Sequence, residues 1–91
     1  METKNQNFPG LSHRFNVQIG SRGRTSSIST ENKLDGDTLT SMYDQGELPI
    51  ELTRVPFTFH QEGNRVQIES QSAVGIEKLA NKLKGRGLEV K

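Results

Sequence analysis

The sequence predicts an α+β domain, with a small, mostly antiparallel sheet and one or two helices packed on one face. Segments 55–60 and 65–69 alternate apolar and polar residues, the period of a strand with one buried face. Segment 73–83 repeats apolar residues at intervals of three and four, as an amphipathic helix does. This ββα unit suggests the order β-loop-α-β-β-α-β and a ferredoxin-like or related arrangement.

The first residues divide into an arm and the start of the domain. Residues 1–12 are polar and lack periodicity, so they are expected to form a flexible N-terminal arm, with residues 13–91 as a single domain. In segment 13–19, Phe15, Val17 and Ile19 alternate with polar residues, which predicts a short half-buried strand.

Residues 20–36 form a long polar stretch with almost nothing to bury. Segment 20–29 has two interpretations: an open loop, or the tip of a hairpin whose return strand points Ile28 inward. Asp37 is expected to cap a short helix, since Leu39, Met42 and Tyr43 have helical spacing and a glycine follows.

The second half of the chain should hold most of the sheet. Segment 49–53 is expected to begin a strand with a bulge or break before Pro56. Because proline lacks a ladder donor, this strand is expected at an edge of the sheet, or at least kinked. Across a turn formed by residues 61–64, pairing of His60 with Arg65 would place Phe59 opposite Val66.

The second helix has a predicted start and a predicted stop. Ser72 should cap its N-terminus, and Gly85 should end it with a positive φ. Leu88 and Val90 alternate again after it, which predicts a short terminal strand.

Composition limits the class of protein. The chain has 91 residues, 30% of them hydrophobic, and no cysteine, so disulfides and thiolate chemistry are excluded. No apolar run reaches the roughly 18 residues of a membrane span, and no signal-peptide core is visible. A cytoplasmic protein without membrane contact is expected.

Charge is distributed unevenly although the net charge is only +1. Residues 1–30 carry a charge of +3, residues 31–62 carry −5 and residues 63–91 carry +3. A dipolar surface that steers a charged partner is one interpretation, and ordinary solvation of interleaved charges is the other.

Catalytic signatures are missing from the sequence. There is no phosphate-binding loop, dinucleotide fingerprint or metalloprotease motif, and the two histidines, His13 and His60, stand near strand ends among polar residues. We therefore expect no catalytic, cofactor or metal site, and a protein that is not an enzyme.

Two basic clusters are the candidate partner-binding residues. Arg22 and Arg24 lie in the polar loop. A second cluster stands at the end of the predicted helix 73–83 and just after it, and consists of Lys82, Lys84 and Arg86. If the two clusters meet, they would form one surface for phosphate groups.

The segment 19–23 also resembles the Gly-x-x-Gly loop of KH nucleic-acid-binding domains, which would imply contact with a single-stranded backbone. A KH domain has a helix before that loop, whereas segment 12–19 has the pattern of a strand. A glycine-rich hairpin tip with solvated arginines is the favoured interpretation.

Two functions remain after these exclusions. The first is a small protein-binding module, an adaptor, regulator or inhibitor, acting through an edge strand or the 20–36 polar loop. The alternative is single-stranded RNA or DNA binding through the clusters 22–24 and 82–86.

Overall fold

The computed structural model describes residues 15–88 and residue 90. The elements are β1 (Asn16–Gln18), β2 (Ser26–Thr30), α1 (Lys33–Asp44), α2 (Ile50–Thr53), β3 (Phe57–Glu62), β4 (Arg65–Ser70) and α3 (Ala73–Gly85). The strands form one antiparallel sheet in the order β1-β2-β4-β3, which confirms the α+β class. The ferredoxin-like arrangement stays a prediction, and the proposed arm 1–12 lies outside the described residues.

One hydrophobic core lies between the sheet and the helices. Helix α1 contacts β4, and α3 contacts β2, β4 and α2. The buried hydrophobic side chains are those of Phe15, Ile28, Leu39, Met42, Leu48, Leu52, Val66, Ile68, Ile76, Leu79, Ala80 and Leu83. The alternation of segment 55–60 predicts Phe57 and Phe59 on the buried face of the sheet. Both side chains pack against the core there, but they are only half-buried at its margin.

The hairpin interpretation of segment 20–29 is confirmed. Strands β1 and β2 pair antiparallel, with Val17 opposite Ile28. At the tip, the backbone N–H of Arg24 donates to the carbonyl of Ser21 at 3.1 Å, and Arg22 and Gly23 have φ of +55° and +80°. Two successive positive φ values are typical of the type I′ turns that join twisted strands.

The predicted register of the β3–β4 hairpin is wrong by two residues. Glu62 pairs with Arg65, and Phe59 lies opposite Ile68 rather than Val66. The turn therefore contains two residues instead of four, which allows two more strand pairs to form. A shift of two keeps every side chain on its predicted face, because side chains alternate with a period of two.

Helix α1 starts earlier than the sequence indicated. Asn32 is the N-cap, and its side chain accepts from the backbone N–H groups of Leu34 at 2.8 Å and Asp35 at 3.4 Å. The predicted cap, Asp37, lies inside the helix. The first turn is mostly exposed and polar, so no apolar period indicated its presence.

The predicted strand at 49–53 is wrong, because Ile50–Thr53 form the helical turn α2 with Pro49 as its N-cap. The carbonyl of Pro49 accepts hydrogen bonds from the N–H groups of Leu52 and Thr53, which closes a helical turn. Leu52 is fully buried, whereas Ile50 is 66% exposed. The spacing of these two residues resembles a strand, but in a single helical turn it places them on different sides.

The second predicted helix has the expected start and a different end. Ser72 caps α3 and accepts from the N–H of Gly75 at 2.9 Å, which confirms the predicted cap. Gly85 is the last helical residue, and the positive φ of +86° belongs to Gly87. Among the described residues beyond α3, the predicted terminal strand is a single parallel bridge between Val90 and Phe15.

Candidate functional site

The first predicted cluster lies on a well-defined hairpin tip. Arg22 and Arg24 are both exposed there. The tip is held to β2 by a hydrogen bond from the backbone N–H of Gly20 to the Ser26 hydroxyl, 2.8 Å long. The two guanidinium groups are therefore presented on an anchored turn rather than on an open loop.

The second predicted cluster lies at the C-terminal end of α3, and part of it is already engaged. The guanidinium of Arg86 contacts the carboxylate of Glu47 at 2.7 Å, with both side chains about 40% exposed. The ammonium of Lys82 donates to the backbone carbonyl of the same Glu47. Lys84 makes no ion pair within the described part of the chain, so it alone of the three presents a cation without a described partner.

The structure does not bring the two clusters together. Ser26, next to the hairpin tip, pairs with Ser70, two residues before the cap of α3. Helix α3 then runs for 13 residues away from that end, a distance of about 20 Å. The clusters thus lie at opposite ends of this helix, and a single phosphate-binding surface that includes both is not built.

The outer face of the sheet is polar. His60 Nε2 lies 3.6 Å from Glu69 Oε1, and the Gln67 amide donates to Glu69 Oε2 at 3.2 Å. The aromatic side chains of β3 point toward the helices instead, so the described strands present no ring on this face for a nucleic-acid base to stack on. Within residues 15–88 and residue 90, no group of three metal-ligating side chains converges.

Strand β3 forms one edge of the sheet. Among the described residues, β3 pairs only with β4. The two-residue turn is closed by the pair Glu62 and Arg65, and the closing pair of such a turn exchanges backbone hydrogen bonds. Because hydrogen-bonded and non-hydrogen-bonded pairs alternate, the backbone N–H and C=O groups of Phe57, Phe59 and Gln61 point away from the sheet.

Aromatic side chains lie beside this edge. The ring of Tyr43, on α1, stacks on Phe59 with centroids 4.3 Å apart and an interplanar angle of 8°. The same ring meets Phe57 edge to face at 6.1 Å. Tyr43 is 43% exposed, so this group of three rings, the aromatic cluster, is in part open to solvent.

A groove lies at the opposite edge of the sheet, between β1 and α3. Its volume is about 500 Å³. The apolar part of its wall consists of Val17, Ile19, Ala80 and Val90, and charged side chains of α3 line its rim.

Sequence reasoning predicted a strand over 55–60 that lies at an edge or is kinked, and the structure has the edge strand at Phe57–Glu62. Pro56, which cannot donate to a ladder, was the available signal for an edge strand in this region. The helical spacing of Tyr43 with Leu39 predicted that Tyr43 lies on the inner face of α1. That spacing predicted burial, whereas the ring is partly exposed in the aromatic cluster. Val90 and Ala80 line the same groove only because of the tertiary fold, and no local sequence pattern indicates that they lie together.

Comparison with known proteins adds no family to these observations. No family model, curated protein or solved structure matches the chain. The helices that the structure describes are all too short or too polar to cross a membrane.

Proposed function

We propose that this chain is a cytoplasmic, non-catalytic protein-binding module that captures an extended segment of another protein along the outer edge of β3. The observation that carries the proposal is the six-residue edge strand, in which Phe57, Phe59 and Gln61 turn their backbone donors and acceptors outward. An added strand would satisfy these groups, and such backbone bonds supply the affinity in strand-addition complexes.

The side chains of this edge favour the binding of a partner strand, because they lack the features that block such binding in other proteins. Natural proteins block exposed edges with lysine, proline or inward-pointing charge. Strand β3 contains no lysine, and its nearest proline, Pro56, precedes it. The aromatic cluster offers a partly open apolar surface that would accept alternate side chains of the added strand, and this contact would provide specificity.

The test uses one position whose N–H points outward. Gln61→Pro removes that donor while leaving the hydrogen bonds to β4, so the domain should stay folded. Gln61→Ser keeps the donor and is the matched control. In nuclease-treated cell lysate, wild type and Gln61→Ser should capture the same protein and Gln61→Pro should lose it. Equal capture by all three would contradict binding at this edge.

A second candidate function is single-stranded nucleic-acid binding by the hairpin tip alone. The observation that favours it is the backbone of Arg22, which stands in the left-handed region at φ +55° on an anchored turn. This conformation costs a non-glycine residue roughly 1 kcal/mol or more, and such strain is often found at functional positions.

This candidate predicts unequal roles for the basic clusters. Arg22→Ala combined with Arg24→Ala should weaken binding to single-stranded RNA and reduce the salt dependence by about two charges. The matched double change of Lys82 and Lys84 to Ala should have a smaller effect, since Lys82 is engaged by Glu47. Equal loss from both double variants would argue against recognition by the tip, and no RNA affinity in wild type would exclude this candidate.

A further inference from the structure

We infer that two copies of this chain pair through the outer edge of β3 and form a weak dimer, with a two-fold axis between their Phe59 residues. The pairing needs only the isolated chain, so it does not depend on the proposed function. It does regulate that function, because the second copy occupies the backbone groups that the proposed function assigns to another protein. Dimerisation and capture of a partner therefore compete.

The outward backbone groups of β3 define the register of the dimer. Phe57, Phe59 and Gln61 direct their N–H and C=O groups away from β4. In an antiparallel pair of two β3 strands, alignment of Phe59 with Phe59 of the second copy places Phe57 opposite Gln61 at both ends. All outward residues of both strands then form hydrogen-bonded pairs. A shift of this register by two residues leaves one outward residue of each strand without a partner.

This register also covers the aromatic cluster. Residues directly opposite in neighbouring strands point to the same side of the sheet, so the helices of both copies lie on one face. Helix α1 contacts β4, and the two copies of β4 would stand three strand spacings apart, roughly 14 Å. Directly packed helices are about 8–10 Å apart, so the two α1 helices leave a gap. The partly exposed rings of Tyr43, Phe57 and Phe59 from both copies fill this gap.

The surroundings of the edge are compatible with a second copy. On the outer face of the sheet, Thr58 of one copy lies opposite His60 of the other, so this pair brings no like charges together. Residues 15 and 90, at the two limits of the described chain, form a bridge next to β1. Strand β1 is at the other edge of the sheet, three strands away from β3.

The size of the contact indicates a weak dimer. An edge of six residues is about 20 Å long, and the surface buried on pairing belongs to the class below about 1,200 Å² that is typical of transient association. We expect a dissociation constant between about 10 µM and about 1 mM. Well below this range the chain is a monomer, which is the form that captures a partner and in which the amides of this edge exchange fast.

Sedimentation equilibrium of the purified chain, combined with charge changes, tests the dimer. The average mass of wild type should rise from the 10.2 kDa of one chain toward twice that value between about 1 µM and about 1 mM. The lysine variant carries Thr58→Lys and His60→Lys, and the glutamate variant carries Thr58→Glu and His60→Glu. Both positions are exposed, so the fold should be kept. Each variant alone should dimerise at least about fivefold more weakly than wild type, because two like-charge pairs face each other.

An equimolar mixture of the two variants should dimerise at least as tightly as wild type, since the same positions then form opposite-charge pairs. The matched control mixes the glutamate variant with Asn16→Lys combined with Gln18→Lys, which adds the same charge to exposed positions of β1. That mixture should show no gain.

A wild type that stays at 10.2 kDa up to about 1 mM would overturn the inference. Unchanged dimerisation of either variant alone, or an equal gain in both mixtures, would also overturn it, because the copies would then associate elsewhere. Capture from lysate by Gln61→Ser and Gln61→Pro is measured separately, so failure of the dimer and failure of the proposed function are distinct results.

Discussion

Gly75 lies inside α3, where a glycine is normally a weakness. A Cβ added there would stand 2.6 Å from the Cα of Leu52 and 2.9 Å from the carbonyl oxygen of Glu51. The absence of a side chain therefore allows the backbone of α2 to pack directly on α3. The hydroxyl of Ser72, which donates to the same Glu51 carbonyl at 3.0 Å, fixes this contact.

We expect Gly75→Ala to lower the free energy of unfolding by about 1–3 kcal/mol, because two packed backbones must separate. Gly85→Ala is the control on the same helix, since a Cβ there meets nothing within 4 Å. That variant should be neutral or more stable by up to about 1 kcal/mol, as alanine replaces glycine in a helix. Denaturant unfolding measures both, and stabilisation by Gly75→Ala would show that α2 does not pack where it is placed.

The left-handed backbone of Arg22 leads to a second prediction at this scale. Asparagine tolerates this conformation better than arginine, so Arg22→Asn should raise the free energy of unfolding by a few tenths of a kcal/mol up to about 1 kcal/mol. Arg24→Asn, whose φ is not positive, should give no such gain. Thermal melting of the two variants compares them. A lower melting temperature for Arg22→Asn would indicate that the arginine side chain stabilises the tip.

At the scale of single elements, α2 was the main error of sequence reasoning. A four-residue helix offers too few positions for a helical period to be recognised, and its two aliphatic residues are spaced as in a strand. Helix α3, in contrast, could be predicted because its stripe extends over three turns and Ser72 precedes it. The β3–β4 hairpin was predicted on the correct faces, while its register depended on the turn length, which the alternation does not specify.

The packing of α2 provides a test of this element. Leu52→Ala should cost about 2–5 kcal/mol, because a fully buried side chain is removed. Such a loss is a large part of the free energy of unfolding of a small domain, which is roughly 5–15 kcal/mol. Ile50→Ala, at a position that is 66% exposed, should change stability by no more than about half a kcal/mol. If the two variants were equally stable, the helical assignment would be wrong.

At the scale of the whole molecule, the sequence predicted the class of fold, and it left open whether the two basic clusters lie together. The distance between the clusters depends on the direction of α3 relative to the hairpin, which is a tertiary property. The edge position of β3 and the β1–α3 groove depend on the strand order, in which β2 pairs with β4 although a long connection separates them in the chain. Local patterns carry no information about that order.

Amide hydrogen exchange along β3 tests the central claim most directly. In the free protein, the amides of Phe59 and Gln61 should exchange much faster than those of Thr58 and His60, which bond to β4. In complex with the protein that Gln61→Ser captures and Gln61→Pro does not, exchange at Phe59 and Gln61 should slow by at least about tenfold, and exchange at Arg22 and Arg24 should not change. Protection of Phe59 and Gln61 already in the free protein, or slowing confined to the hairpin tip, would contradict binding at this edge.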